Sequence, residues 1–338
     1  MNLFDYKGIW VYAEHSSGKF NNISLELLGK GRELADQLNT KLTAVLLGNN
    51  VNHLAEELLI YGADEVIYAE DKSIEVYTTD AYTKVLCNLI NEKKPEILLI
   101  GASFTGRDLS PRIAARLSTG VTTDCTDLTI DINSRILEMI RPAYGGLLMN
   151  KVICENSRPQ IATVRPGVFN KPTKSLENID LAHIRKIKVH LKQDDLRVVV
   201  KERLPMLKEI VDITEAEFIV SGGRGVGSKE GFKLLERLAQ TLGGTIAGSR
   251  GAVHNGWIDI DRQIGQTGKT VRPKVYIAVG ISGAMHHISG MQDSKYIIAI
   301  NTDDTAPIMD IANLGIVGDY QVIVPEIISA IKKIKNDF

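Results

Sequence analysis

Short apolar runs alternate with amphipathic helical stripes along this chain, and the alternation begins twice. In the first half, residues 7–13, 42–47, 65–68 and 97–100 read as strands. Residues 24–38, 54–61, 79–91 and 106–117 carry apolar positions at helical spacing. The run Ile97-Leu98-Leu99-Ile100 is apolar on both faces, which predicts a central parallel strand. In the second half the same reading gives strands at 218–220, 245–247, 274–279, 296–300 and 315–317. Helices are expected at 229–242, from Ala284 onward, at 308–312 and at 325–335. Parallel neighbours need crossover connections, and the helices supply them. The expected fold class is α/β, with two tandem Rossmann-like domains and mostly parallel sheets.

Between the two series the pattern changes. Residues 124–130, 135–141, 147–153 and 160–164 read as strands without intervening helices, with turns at Gly145-Gly146 and Asn156. They are expected to finish one edge of the first sheet with antiparallel strands. Residues 171–205 are polar and charge-mixed, with room for strands at 180–191 and 196–200. The boundary is placed near Lys201, giving an N-terminal α/β domain at 1–200 and a C-terminal domain at 206–338.

Composition removes several classes of function. The 338 residues carry a net charge of −1, with no Lys/Arg-rich tract, so there is no nucleic-acid footprint. Cys87, Cys125 and Cys154 are far apart and outside C-x-x-C spacing, which argues against a disulfide framework, zinc or an iron–sulfur cluster. No apolar run reaches the roughly 18 residues of a membrane span, and residues 1–8 lack a signal-peptide core. A cytoplasmic location is expected. No nucleophile elbow with a Ser/His/Asp set and no H-E-x-x-H occurs, so no metal site and no hydrolase is expected.

The chemistry gathers in four small-residue loops of the second half: 222–228, 248–250, 265–269 and 280–287. In the first, Gly222-Gly223-Arg224-Gly225-Val226-Gly227 follows a strand and precedes a helix. Glycines and a helix N-terminus suit an anion cradle, yet the spacing matches neither the dinucleotide fingerprint nor the P-loop. A plain glycine-rich turn fits the sequence as well. In an open α/β sheet such loops face one crevice at the carboxyl ends of the strands. Arg250 is read as a cation over a ligand's negative charge or as a surface ion-pair residue. Ser282 fits the N-cap of the next helix. His286 and His287 are adjacent and cannot share a face, so one is expected to meet the ligand. Thr267 suits one hydrogen bond to a ring nitrogen or phosphate, or a turn. Asn301 and Asp319 follow strands and suit ribose, adenine or a helix cap.

These loops closely resemble the alpha subunit of electron-transfer flavoproteins. The resemblance rests on Val220-Ser221-Gly222-Gly223-Arg224-Gly225, on Gly265-Gln266-Thr267-Gly268-Lys269, and on the run from Tyr276 through Gly290 to Ile298-Ala299-Ile300-Asn301. Gly315-Ile316-Val317-Gly318-Asp319 adds to it. In the first half, Gly106-Arg107-Asp108-Leu109, Thr119-Gly120, Asp124-Cys125 and Thr163-Val164-Arg165-Pro166-Gly167 match, so the likeness spans nearly the whole chain.

The resemblance implies FAD in the C-terminal domain and a heterodimer in which the N-terminal domain contacts a beta subunit. By position, Arg250, Thr267 and His287 would face the isoalloxazine ring and tune its redox behaviour. Arg224, Ser249, Ile264, Gly265, Gln266, Ser282, Gly283, Ala284, Met285 and His286 would line the rest of the cofactor, and Asn301, Asp319 and Tyr320 its adenosine end. Arg250, the His287 imidazole and a helix start at Ser282 would together supply positive potential. The family usually has Ile-Gln at Met285-His286, so the contact from residue 286 differs here. The opening Asp5-Tyr6-Lys7-Gly8-Ile9 and residues 119–127 look like the electron-bifurcating, acyl-CoA dehydrogenase-linked group. Its members hold a second FAD in the beta subunit and divide NADH electrons between an acyl-CoA dehydrogenase and ferredoxin. The alternatives are a non-bifurcating electron shuttle and a nicotinamide- or nucleotide-binding enzyme using the same crevice, with His254 or His287 as its acid or base.

Overall fold

A computed structural model describes residues 3–143, 148–175, 180–198, 200–202 and 213–336. The expected turn at Gly145-Gly146 and residues 203–205 of the boundary lie outside them. The chain divides into two compact units, Met1–Leu204 and Pro205–Phe338.

The first unit opens with β1 (Ile9–Tyr12), a short hairpin of β2 (His15–Ser16) and β3 (Lys19–Phe20), and α1 (Asn22–Gln37). It continues as β4 (Leu42–Gly48), α2 (Asn52–Ile60), β5 (Glu65–Glu70), α3 (Thr79–Lys93), β6 (Ile97–Gly101) and α4 (Phe104–Leu117). Five strands follow: β7 (Val121–Cys125), β8 (Asp127–Asp131), β9 (Ile136–Ala143), β10 (Leu148–Val152) and β11 (Gln160–Val164). β12 (Ile184–Ile187) comes last. The main sheet has the order β12-β5-β4-β1-β6-β11-β7, and every pairing in it is parallel. Alternation along β1 fills both faces. Ile9 and Val11 pack with Leu27 and Leu34 of α1 and Leu58 of α2. Trp10 and Tyr12 pack with Leu86 and Ile90 of α3 and Leu109 and Ile113 of α4.

The expected antiparallel edge is corrected. β7 and β11 enter the main sheet as parallel strands, while β8, β9 and β10 form a separate antiparallel sheet. The single strand expected over 124–130 is interrupted at Thr126, just after Asp124, whose left-handed φ of +62 accompanies a register shift in the β7–β11 pairing. β11 is buried along its whole length, as a strand inside a doubly covered sheet must be. The stretch expected at 180–191 shrinks to β12, parallel to β5, and no strand occurs among the described residues of 196–200.

The second unit restarts with β13 (Phe218–Gly222), α5 (Lys229–Leu242), β14 (Thr245–Gly248), α6 (Arg250–His254) and β15 (Val275–Val279). It ends with α7 (Met285–Ile288), β16 (Ile297–Asn301), α8 (Pro307–Ile311), β17 (Leu314–Val317) and α9 (Tyr320–Asn336). The sheet order is β14-β13-β15-β16-β17, all parallel. α5 begins where Ser228 Oγ accepts from the Gly231 amide at 3.0 Å and ends on Gly243 at φ +72. One face holds Val220 and Ile277 against Leu235 and Leu238 of α5 and Val324 and Ile328 of α9. The other holds Ile219, Tyr276 and Ala278 against Ile264, Ile281 and Ile308. α9 starts at Tyr320 rather than Pro325, because Asp319 Oδ1 accepts from the Gln321 amide at 2.8 Å and starts the helix earlier. Among the described residues no helix is long and apolar enough to cross a membrane.

Candidate functional site

β13 lies in the interior of its sheet, with β14 on one side and β15 on the other. The chain order reverses there, so a crevice opens beyond the carboxyl ends of β13 and β15. The four loops meet at this point and are tied in a closed circuit of backbone hydrogen bonds. The Ser249 amide donates to the Gly222 carbonyl (3.0 Å), joining the second loop to the first. The Ile264 amide donates to Gly248 (2.9 Å), Gln266 to His286 (2.7 Å), and Gly225 to Gly280 (2.9 Å), joining the rest. Inside this circuit lies a cavity of about 660 Å³.

The first loop is not the bare anion cradle its glycines suggest. Its amides are spent on protein: Gly223 donates to Val279, Gly225 to Gly280, Val226 to Gly223 and Gly227 to Arg224. The glycines permit a close backbone crossing instead. A Cβ on Gly223 would stand 2.1 Å from the Gly280 carbonyl oxygen. Gly265 serves the third crossing in the same way: it adopts φ +140, and a Cβ there would stand 2.7 Å from the His286 carbonyl oxygen.

Most of the residues expected at the site line this cavity. Arg224, Ser249, Arg250, Ile264, Gly265, Gln266, Thr267, Ser282, Gly283, Ala284, His286, His287 and Asn301 all do, together with Gln263, Gly280 and Asp303. Met285, Asp319 and Tyr320 are not among the lining residues. Met285 is half exposed. Tyr320 is buried with its hydroxyl donating to the Val226 carbonyl at 2.8 Å, behind the first loop. Arg224 and Arg250 are exposed on the wall, and neither makes an ion pair with another described residue. Arg250 is the first residue of α6, placed there by the Ser249 turn. Thr267 Oγ1 accepts from Gln263 Nε2 at 3.1 Å. Asn301 is occupied within the protein: its Nδ2 donates to the Ile281 carbonyl (3.0 Å) and its Oδ1 accepts from the Asp303 amide (3.2 Å). His286 Nδ1 donates to Gln266 Oε1 at 2.5 Å.

Two electrostatic expectations are corrected. Ser282 is not an N-cap, because the helix after it starts at Met285 and is four residues long, capped at Ala284. No helix start at Ser282 adds positive potential. His287 is buried on that helix, and burial pushes its imidazole down to about 4. The nearby Ile264 backbone offsets this only in part. The ring is therefore neutral near pH 7 and offers a hydrogen bond rather than a charge. Its Nε2 lies 2.9 Å from the hydroxyl of Tyr276, a fully buried residue of β15, and its Nδ1 is buried with no regular hydrogen-bond partner. Sequence reasoning overlooked Tyr276, since a tyrosine inside a strand reads as ordinary core. The signal available was the polar tip of an aromatic residue in the strand just before the fourth loop.

A dinucleotide fits this constellation. Two exposed guanidinium groups without ion-pair partners among the described residues suit phosphate or a charged ring edge, and the glycine crossings leave no side chain between the loops that surround the cavity.

Residues 9–190 match the family model described as the electron transfer flavoprotein domain. Residues 212–292 match the electron transfer flavoprotein FAD-binding domain. The electron transfer flavoprotein subunit alpha of Clostridium acetobutylicum is 55% identical over 336 residues, covering 99% of this chain and 100% of that protein. The acryloyl-CoA reductase electron transfer subunit beta of Anaerotignum propionicum is 47% identical, covering 99% and 98%. The lactate dehydrogenase (NAD(+),ferredoxin) subunit LctC of Acetobacterium woodii is 40% identical, covering 98% of this chain and 78% of that protein.

Proposed function

The chain belongs to the electron transfer flavoprotein family as an alpha subunit, and from that premise we propose how its residues hold and tune FAD. FAD binds in the C-terminal unit, and the subunit acts in electron transfer as one half of a heterodimer with a beta subunit. The bound FAD supplies the one-electron redox chemistry, and the protein supplies position and electrostatics. Arg250, Thr267 and His287 meet the ring end. Arg224, Ser249, Gly265, Gln266 and Ser282 line the remainder, with Asn301 and Asp319 toward the adenosine end. Tyr320 supports the first loop from behind.

The observation that carries this assignment is the closed circuit of four loops, which sets Arg250 and His287 on the wall of one cavity. Arg250 stabilises negative charge on the ring edge, and no described residue neutralises it. Each 1.4 kcal/mol of such preference corresponds to about 59 mV for one electron. His287, being neutral, adds no charge. The test is the first one-electron potential of the heterodimer's flavin in Arg250→Ala. A fall of about 60 mV is expected; an unchanged potential at full flavin occupancy overturns the role of Arg250.

We propose further that the heterodimer bifurcates electrons from NADH, one to an acyl-CoA dehydrogenase and one to ferredoxin. The names of two relatives support this reading: one is an electron transfer subunit of an acryloyl-CoA reductase, and the other a subunit of an NAD(+)- and ferredoxin-dependent lactate dehydrogenase. Flavin content of the co-purified heterodimer tests it. Two FAD per heterodimer with NADH-dependent ferredoxin reduction is the expected result, whereas one FAD with AMP identifies a non-bifurcating shuttle. A nicotinamide enzyme would need an acid or base in the cavity. His287 is buried and neutral, and His254 is not among the lining residues, so FAD tuning is the better reading.

A further inference from the structure

His287 has two nitrogens in different surroundings, and the buried residue behind it decides which one carries the proton. Nε2 is 2.9 Å from the Tyr276 hydroxyl. Nδ1 is buried, with the Ile264 backbone as its hydrogen-bonding neighbour, and both His287 and Ile264 line the cavity. We propose that Tyr276 is a positioning residue: its hydroxyl donates to His287 Nε2, which leaves the single imidazole proton on Nδ1, directed at the Ile264 backbone just before the third loop. This deepens the FAD assignment and rests on it for the ligand, though not for the tautomer.

The direction of the bond follows from the surroundings of the phenol. Tyr276 is fully buried, and burial raises its pKa, so its hydroxyl keeps its proton; with the imidazole proton directed at the Ile264 backbone from Nδ1, Nε2 is left as the acceptor for the phenol. A neutral imidazole nitrogen is a better acceptor than a serine hydroxyl. The Ser221 hydroxyl, on the neighbouring strand β13, is buried and has no regular partner of its own. Its influence lowers the tyrosine pKa, as a donor to the phenol oxygen would. The polar order is then Ser221 to Tyr276 to His287, running from the sheet to the cavity wall. A hydrogen-bonded second residue commonly fixes which imidazole nitrogen is protonated. Here the ring is neutral and cannot turn over without breaking the bond to Tyr276.

The experiment is 15N spectroscopy of the histidine-labelled, flavin-loaded heterodimer and of the same complex stripped of flavin, with His287→Gln assigning the resonance among the chain's seven histidines. The proposal expects a protonated Nδ1 and an unprotonated Nε2 in both forms. In Tyr276→Phe the Nδ1–H preference should fall roughly tenfold, the scale of one buried hydrogen bond. The flavin potential should move as well, while Ser221→Ala shifts the tautomer ratio less. An Nε2–H tautomer in the wild-type protein overturns the proposal outright, without any variant having to fold. A tautomer unchanged in Tyr276→Phe also overturns it. If the tautomer responds as expected but the flavin potential ignores both Tyr276→Phe and His287→Gln, the positioning stands and the placement of the ring beside His287 falls.

Discussion

The Gly223 Cα stands so close to the fourth loop that a methyl group on it would lie 2.1 Å from the Gly280 carbonyl oxygen. Gly223 has φ −101, which any residue can adopt, so the requirement is space and not backbone freedom. Gly223→Ala should force the first and fourth loops apart, at a cost of about 1–3 kcal/mol, and with them the cavity floor. Gly227 is the opposite case: φ +79 and nothing within 4 Å of an added Cβ. Gly227→Ala should cost about 1–2 kcal/mol through backbone strain and leave flavin retention intact. Thermal melting paired with FAD content after gel filtration separates the two. Equal flavin loss in both variants would show that the loop crossing does not shape the site.

Asp124 predicts a pH signature in the N-terminal unit. Burial pushes its carboxyl up, but the Arg165 hydrogen bond at 2.6 Å and the charges of Arg165, Arg107 and Arg141 outweigh that and hold it below its ordinary value. A depressed folded pKa stabilises wherever the carboxylate is ionised, and that stability is lost as pH falls through the folded value. Asp124→Asn keeps a residue that tolerates the left-handed backbone. It should cost about 2 kcal/mol at neutral pH and progressively less in acid. Urea unfolding across that range checks it; a constant difference between the two proteins would contradict the ion-pair account.

Glu14 carries the reverse sign. It sits just after β1, its carboxylate accepting a short hydrogen bond from Ser103 at the start of α4. Burial raises its pKa more than Ser103, Thr105, Asn21 and His15 lower it. Stability from a raised carboxyl is full below the unfolded pKa and declines as pH rises through the folded one. Glu14→Gln should therefore gain on the wild type as pH rises, whatever hydrogen bond it loses at low pH. Melting temperatures at about pH 4 and about pH 8 give the two differences. A variant that fails to gain on the wild type between the two pH values would show that Glu14 is not penalised by burial.

Much of this was legible in the sequence because periodicity reports burial. The apolar run 97–100 became β6 in the interior of its sheet, between β1 and β11, and four glycine-bearing loops converged on one cavity. What stayed hidden depends on surroundings. A left-handed residue near the end of β7, Asp124, and a bend at Thr126 interrupt what looks like one strand, and β8 pairs in a different sheet. The charge on His287 could not be read, because burial and not residue type makes it neutral. Tyr276 looked like any strand aromatic until its hydroxyl was found against an imidazole. The glycines of the first loop signalled close approach correctly, but the partner approached is the Gly280 backbone.

The contact between His286 and Gln266 adds a last prediction, at a position where this chain departs from the usual family pattern. The side-chain bond is 2.5 Å, and the Gln266 amide also donates to the His286 carbonyl at 2.7 Å, so the third loop is latched twice to the same residue. His286→Ala removes only the side-chain latch. The backbone bond and the Gly265 crossing remain, so the loop should keep its place while opening more often. FAD release should accelerate by up to about tenfold, with global stability changed by about 1 kcal/mol or less. Stopped-flow release into excess apoprotein measures the rate. An unaltered rate would mean that the third loop does not gate the cavity. A loss of all bound flavin would mean that His286 contacts FAD directly, as its position on the cavity wall permits.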